Sequence, residues 1–203
     1  MRDLRSHLLP GLLIASLLAA VLATGHAEAQ SPPPPAPSVD AAARARQLDA
    51  LFAALKTTRT EEEGDALVAE IWRVWLQSGK PELDAAMQQA VNFMAVGLGA
   101  LAMPILDDIL AKAPDWAEAW NKRATLLYLM GEHDRSLADI ERVLALEPRH
   151  FGALAGIGLI RMAKGEPREA LAAFRRALAV NPFLKERFAL IPELERQVGE
   201  KPL

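Results

Sequence analysis

The chain has 203 residues, 51% of them hydrophobic and 24% charged, which is enough for one domain of ordinary size plus extensions. Its formal net charge of −3 does not provide the basic surface that nucleic-acid binding requires, so we expect no nucleic-acid partner. The absence of cysteine excludes disulfides, thiol nucleophiles and cysteine-ligated metals.

Residues 1–29 have the three parts of a secretory signal peptide. Two arginines precede an apolar run at residues 8–24, and Ala27 and Ala29 then form an A-x-A cleavage site. We predict cleavage after Ala29 and export to the periplasm of a bacterium. The alternative is an uncleaved inner-membrane anchor facing the periplasm, although this apolar run is short for a membrane span.

A proline-rich segment follows the signal at residues 30–40. Consecutive prolines cannot enter a helix or a sheet and favour the extended polyproline conformation. We interpret the segment as a semi-rigid linker, and a ligand for a proline-binding domain is the alternative.

The most informative pattern is a period of 34 residues. Three units align at residues 83–116, 117–150 and 151–184. Each has a glycine, a small residue five positions after that glycine and a large apolar residue nine positions after it. This pattern predicts two helices per unit that meet at small side chains, with a glycine ending the first helix and a proline stopping the second. The structural positions are Gly97, Gly131, Gly165, Pro114, Pro148, Pro182, Ala102, Ser136 and Ala170.

With this period and these columns, the sequence resembles the tetratricopeptide repeat (TPR) family. Trp120 and Gly131 match the family pattern in the middle unit. The last unit matches it at six positions: Gly158, Gly165, Ala170, Phe174, Ala177 and Pro182. Leu127 and Arg161 depart from it, because the family usually has tyrosine at that position. The resemblance implies an all-α fold, a right-handed superhelix of helix–turn–helix repeats.

Helical patterns also flank the three units. Residues 41–82 predict an N-terminal helical hairpin that could be a degenerate fourth repeat. Residues 185–203 predict an amphipathic helix, bent at Pro192, that would cap the stack with a polar outer face.

We find no catalytic or metal-binding pattern, so we expect a non-enzymatic protein without cofactor or metal. His133 and His150 are interpreted as solvated turn residues, because no coordinating group stands at a suitable spacing from them. Gly156 and Gly158 lie in a helical pattern, so we assign them to helix packing rather than to a nucleotide loop.

The resemblance implies that partners bind the concave surface formed by the first helix of each unit. The side chains expected on that surface are Met87, Val91, Met94, Asn121, Lys122, Thr125, Tyr128, Ala155, Leu159 and Met162. Flexible apolar side chains suit a peptide or an amphipathic helix. The terminal helices could also cover this surface, and the sequence leaves that alternative open. We predict an interaction scaffold of the cell envelope; a membrane-anchored structural subunit is the alternative.

Overall fold

The computed structural model describes residues 41–199, which form helices and no strands. The signal peptide and the linker lie outside the described residues. The helices are α1 (Ala41–Thr57), α2 (Glu61–Trp75), α3 (Pro81–Ala95), α4 (Gly99–Lys112), α5 (Ala117–Leu129), α6 (His133–Leu146), α7 (Phe151–Ala163), α8 (Pro167–Val180), one 3-10 turn (Lys185–Arg187) and α9 (Leu190–Val198). Within this part of the chain, no helix is long and apolar enough to span a membrane.

The helices begin where the local sequence supplies a start. Thr60 caps α2 by accepting a hydrogen bond from the backbone N–H of Glu63, and three glutamates follow in the first turn, where the helix dipole favours negative charge. Pro81 and Pro167 occupy the first positions of α3 and α8, where the missing N–H of proline costs nothing.

Within each repeat the two helices meet at small side chains. In the middle unit the Ser136 hydroxyl donates a hydrogen bond of 2.7 Å to the Ala124 carbonyl oxygen, which ties α6 to α5. In the last unit a Cβ added to Gly158 would lie 2.6 Å from the ring of Phe174. The ring therefore fills the space that the absent side chain leaves, and the two helices approach closely.

The same turn connects the two helices of every unit. Gly97, Gly131 and Gly165 adopt φ values of 76°, 78° and 74°, the left-handed conformation that glycine reaches without strain. At the middle turn the Glu132 N–H donates to the Leu127 carbonyl and the Gly131 N–H donates to the Tyr128 carbonyl. This pair of bonds is a Schellman motif, and it recurs at the other two turns.

Neighbouring units are joined by both charged and apolar contacts. Arg123 on α5 donates to Asp139 on α6 and also to Asp107 on α4, each at 2.8 Å, and these hydrogen bonds raise the pKa of its guanidinium. A Cβ on Gly99, the first residue of α4, would lie 2.7 Å from Leu126, so the start of α4 packs against the last turn of α5. The result is an α-solenoid of stacked helical repeats.

The C-terminal helix packs on the last repeat. Leu190, Ile191 and Leu194 are buried, and Arg175 on α8 donates a hydrogen bond of 2.9 Å to the buried carboxylate of Glu195. Pro192 lies in the first turn of α9, where proline is tolerated, so it falls near the start of a short helix.

The N-terminal hairpin, formed by α1 and α2, lies against the second and third repeats. Its buried apolar residues share one core with Phe151, at the start of α7, and Phe183, just after α8. Gly64 allows this packing, because a Cβ there would lie 2.4 Å from the Phe183 ring. The hairpin therefore contacts the ends of the repeats where successive units are connected.

We expect Gly131→Val to destabilise the protein by about 1–2 kcal/mol, the cost of a left-handed conformation for a residue with a side chain. Thermal unfolding followed by circular dichroism measures this loss. Gly131→Asn is the matched control and should lose less, because asparagine tolerates this conformation better. An unchanged melting temperature for the valine variant would contradict the role assigned to the turn.

Candidate partner-binding site

The first helices of the three units, α3, α5 and α7, form what we call the first-helix face. The structure buries most of the side chains predicted to bind a partner there; the buried ones are Met87, Val91, Met94, Asn121, Lys122, Ala155 and Leu159. Thr125, Tyr128 and Met162 are partly exposed. In this conformation only these three of the predicted residues are accessible to a partner.

Two tryptophans of α2 cover part of the first-helix face. Trp75 stacks on His150 with the ring centroids 4.0 Å apart and the planes 8° from parallel. Trp72 lies edge-on to His150 and Phe151, and the Lys122 ammonium lies 5.2 Å from its ring centroid. The hairpin thus occupies one part of the surface where the family resemblance places a partner.

Beneath the tryptophans lies a buried ionic cluster formed by Glu118, Asn121, Lys122 and His150, which we call the carboxylate cluster. The Lys122 ammonium lies 2.8 Å from Glu118 Oε1. On the other carboxylate oxygen, Oε2, His150 Nε2 lies at 2.9 Å and Asn121 Nδ2 at 3.1 Å. All four residues belong to the second repeat.

Hydrogen bonding assigns the tautomer of His150, and the surrounding charges determine the state of Glu118. The Ala153 backbone N–H donates to His150 Nδ1 at 3.1 Å, so Nδ1 is an acceptor and Nε2 carries the proton that points at Glu118. Burial by itself raises the pKa of Glu118, but the nearby Lys122 ammonium and the His150 hydrogen bond outweigh it and hold this pKa below its usual 4.5. Glu118 is therefore an ionised carboxylate at neutral pH.

The sequence interpretation of His150 was wrong. Instead of being a solvated turn residue, it has 0% of its surface exposed, because Trp75 covers its ring and Glu118 binds its edge. Glu118 was missed altogether. Its spacing of four residues from Lys122 was a visible signal for a helical ion pair, but nothing in the sequence indicated that the pair would be buried.

Ion pairs at the margin of the hairpin also attach it to the repeats. Asp49 on α1 pairs with Arg149, and Asp65 on α2 pairs with Lys185, each at 2.7 Å. Glu61 at the start of α2 contacts Arg187. The acidic side chains of these pairs are well exposed, so solvent and salt weaken each interaction.

The other end of the first-helix face remains open at the turns within the units. Tyr128 is half-buried and stacks on His133 with centroids 5.6 Å apart, and burial raises the pKa of its phenol. Apolar side chains are exposed around it and at the preceding turn: Val96, Leu98, Leu101, Leu129 and Met130. Val96 is 69% exposed and Met130 53%, so this edge presents apolar surface to solvent.

The arrangement offers non-covalent contacts. Glu118 is paired with Lys122 through Oε1 and hydrogen-bonded to His150 and Asn121 through Oε2, and the exposed turns add apolar surface. Among residues 41–199 there is no group of three or more histidine or acidic side chains placed to hold a metal ion.

Comparison with known proteins identifies the repeats. The family described as Tetratricopeptide repeat matches residues 117–150 and 151–183. A TPR repeat-containing protein of Rhizobium etli is 39% identical over 137 residues, which cover 68% of this chain and 67% of that protein. This chain belongs to the tetratricopeptide repeat family. Its repeats therefore make it a scaffold for protein–protein interaction.

Two further similarities are more distant. Anaphase-promoting complex subunit 7 of Dictyostelium discoideum is 30% identical over 77 residues, which cover 38% of this TPR protein and only 13% of that subunit. A solved structure of a MamA mutant covers 68% of this chain and 96% of its own, at 19% identity and a TM-score of 0.45.

We expect Glu118→Gln to destabilise the TPR protein at neutral pH by about 3 kcal/mol, because Lys122 then lacks its buried counter-charge. The pKa of Glu118 is lower in the folded than in the unfolded protein. Its stabilisation is therefore present above pH 4.5 and is lost as the pH falls through the folded pKa. The difference between wild type and variant should shrink in that acidic range.

Urea unfolding at a series of pH values measures this difference. Asp108→Asn is the matched control, since Asp108 pairs with Lys112 at the surface and both side chains are more than half exposed. That substitution should cost no more than about 0.5 kcal/mol. Equal losses for the two variants would show that the carboxylate cluster has no special contribution.

Proposed function

We propose that this TPR protein is an exported interaction scaffold of the bacterial cell envelope, which binds a peptide or helix of another protein along its first-helix face. The observation that carries this proposal is the accessible end of that face. There Thr125, Tyr128 and Met162 are partly exposed, and Leu129 and Met130, which follow Tyr128 directly, are exposed apolar side chains. Such a surface gains free energy when a partner removes it from water.

The exposed turn residues favour a partner with apolar side chains over a charged ligand. Val96 and Met130 occupy the same position in successive units, and the third unit has Lys164 there. The apolar edge therefore belongs to the first two units. Leu129 and Met130 follow Tyr128 directly in the sequence, so one amphipathic helix can contact Tyr128 and the apolar edge together.

Site-specific photo-crosslinking in intact cells tests the binding surface. A photoreactive amino acid at position 128 or 162 should give adducts with the same partner, which mass spectrometry identifies. Ala138 and Ala172 are matched controls, because they are exposed and occupy equivalent positions in the second helices of successive units. Adducts at the control positions alone would place the partner elsewhere and contradict the proposal.

Export is tested separately by the mature N-terminus. Mass spectrometry of the protein purified from its own cells should find Gln30 as the first residue, since cleavage is expected after Ala29. The protein should then be released from the periplasm without detergent. Retention of Met1 in the membrane fraction would instead support a membrane-anchored structural subunit.

A further inference from the structure

The carboxylate cluster draws its polar contacts from the repeats and none from the hairpin. Among residues 41–199, Glu118 Oε2 accepts hydrogen bonds from the second repeat, Oε1 has the Lys122 ion pair but no hydrogen bond, and the donor to His150 Nδ1 is the Ala153 backbone N–H of α7. If α2 moved away, none of these bonds would be broken. The repeats therefore hold a preorganised polar site, whereas a site that needed α2 would lose its partners on opening.

What α2 adds to this site is almost entirely aromatic contact. Trp72 and Trp75 supply rings to His150, Phe151 and Lys122. The backbone carbonyl of Trp75 accepts one hydrogen bond from the Trp116 indole at 2.8 Å. The Trp75 indole nitrogen, in contrast, is buried without a partner among residues 41–199. Docking of α2 thus leaves one polar group uncompensated.

The contact surface on the repeats is shaped to receive an indole. A Cβ on Gly152, in the first turn of α7, would lie 2.6 Å from Cη2 of Trp72. The glycine therefore makes a recess whose floor is helix backbone and whose neighbours are the His150 ring and the Lys122 ammonium. A planar aromatic side chain fits this recess, because it stacks on imidazole and attracts a cation.

The attachment of the hairpin also suits release. The connector between α2 and α3 contains Gly79 at a φ of 85°, and the marginal ion pairs of Asp49, Asp65 and Glu61 are solvent-exposed. Displacing the hairpin would open the core it shares with Phe151 and Phe183, whereas the second and third repeats would keep a core of their own around Ile140 and Val143.

We infer that α2 is an intramolecular ligand of the first-helix face and that the partner is a helix which replaces it. The partner helix carries two aromatic side chains three residues apart, as Trp72 and Trp75 are, with acidic residues about two turns before them. The aromatics enter the recess at Gly152 and His150, and the acidic residues face Lys185 and Arg187. This inference rests on the proposed function and names the chemistry of the partner.

A reversible disulfide can hold the hairpin shut. The Phe183 Cγ lies 2.4 Å from a Cβ built on Gly64, so the Cβ atoms of Gly64→Cys and Phe183→Cys come within about 4 Å, a span that a disulfide bridges. The chain has no other cysteine. Oxidation of this variant locks the hairpin in place. Reduction removes the lock, and because the variant also lacks the Phe183 ring, its hairpin is then held less firmly than in the wild type.

The probe is a fluorescent peptide of residues 61–78, and its control carries alanine in place of both tryptophans. We expect the reduced protein to bind the probe at least about tenfold more tightly than the oxidised one, because the tethered α2 competes at a high effective concentration when locked. The control peptide should bind neither form. Equal binding to both forms would overturn the inference, as would no binding to a reduced protein whose hairpin is open.

Hydrogen exchange of the α2 amides reports whether the hairpin opens. Gly152→Ala should speed this exchange about tenfold or more, because the added methyl group is forced against Trp72. Gly156→Ala is the matched control on α7; its Cβ would meet only the end of Ile140 at 3.2 Å. A hairpin that stays protected in both Gly152→Ala and the reduced double-cysteine protein would be a fixed part of the core, and the inference would fail.

The peptide experiment needs no cellular partner, so it is independent of the photo-crosslinking at positions 128 and 162. If the peptide binds the reduced protein more tightly than the oxidised one but no cellular adducts form, the proposed function is contradicted and the aromatic recess is supported. Cellular adducts that form equally with the locked protein would keep the proposed function and overturn the displacement of α2.

Discussion

The close approach of two helices within each repeat is the constraint on which the rest of the molecule depends. Small residues at Ala102, Ser136 and Ala170 are buried, and larger side chains from the partner positions fill the adjoining space. A helical pair of this kind buries only one of its surfaces, so each unit requires a neighbour. The stack, the alignment of first helices on one face and the position of the turns all follow from that requirement.

The stack has a consequence for charge. Glu118 and Lys122 would be an ordinary surface pair on an isolated helix, and such pairs contribute little. Here α7 and α2 close over them, so the pair loses water and each charge depends on its partner. His150, placed by the connection between two repeats, supplies the second contact that keeps the buried carboxylate ionised.

A face that is half covered and half open is well suited to competition between ligands. In the displacement that we propose, a partner first contacts the open end near Tyr128 and then extends toward the recess that α2 occupies. The energetic cost of displacing α2 would set how selective the scaffold is, because only a helix with matching aromatic side chains recovers the lost contacts. On this proposal, coverage by α2 and binding of a partner are two states of one surface.

The sequence by itself determined the repeating helical pairs. Gly131 and its equivalents adopt the left-handed turn, and the small residues pack between helices, because these features depend on interactions close along the chain. The 34-residue period also led to the family, since matching positions recur three times. Local spacing could carry this information because both helices of a unit lie within one period.

Only the tertiary structure decided where the hairpin lies and which side chains remain accessible. The helical pattern of residues 41–75 is the same whether α2 stacks ahead of α3 or crosses α5 and α7. The choice depends on Trp72 meeting Gly152 and on Gly64 meeting Phe183, contacts that join residues 80 and 119 positions apart along the chain. Burial of His150 and Glu118 follows from those distant contacts, because a side chain loses water only when another element covers it.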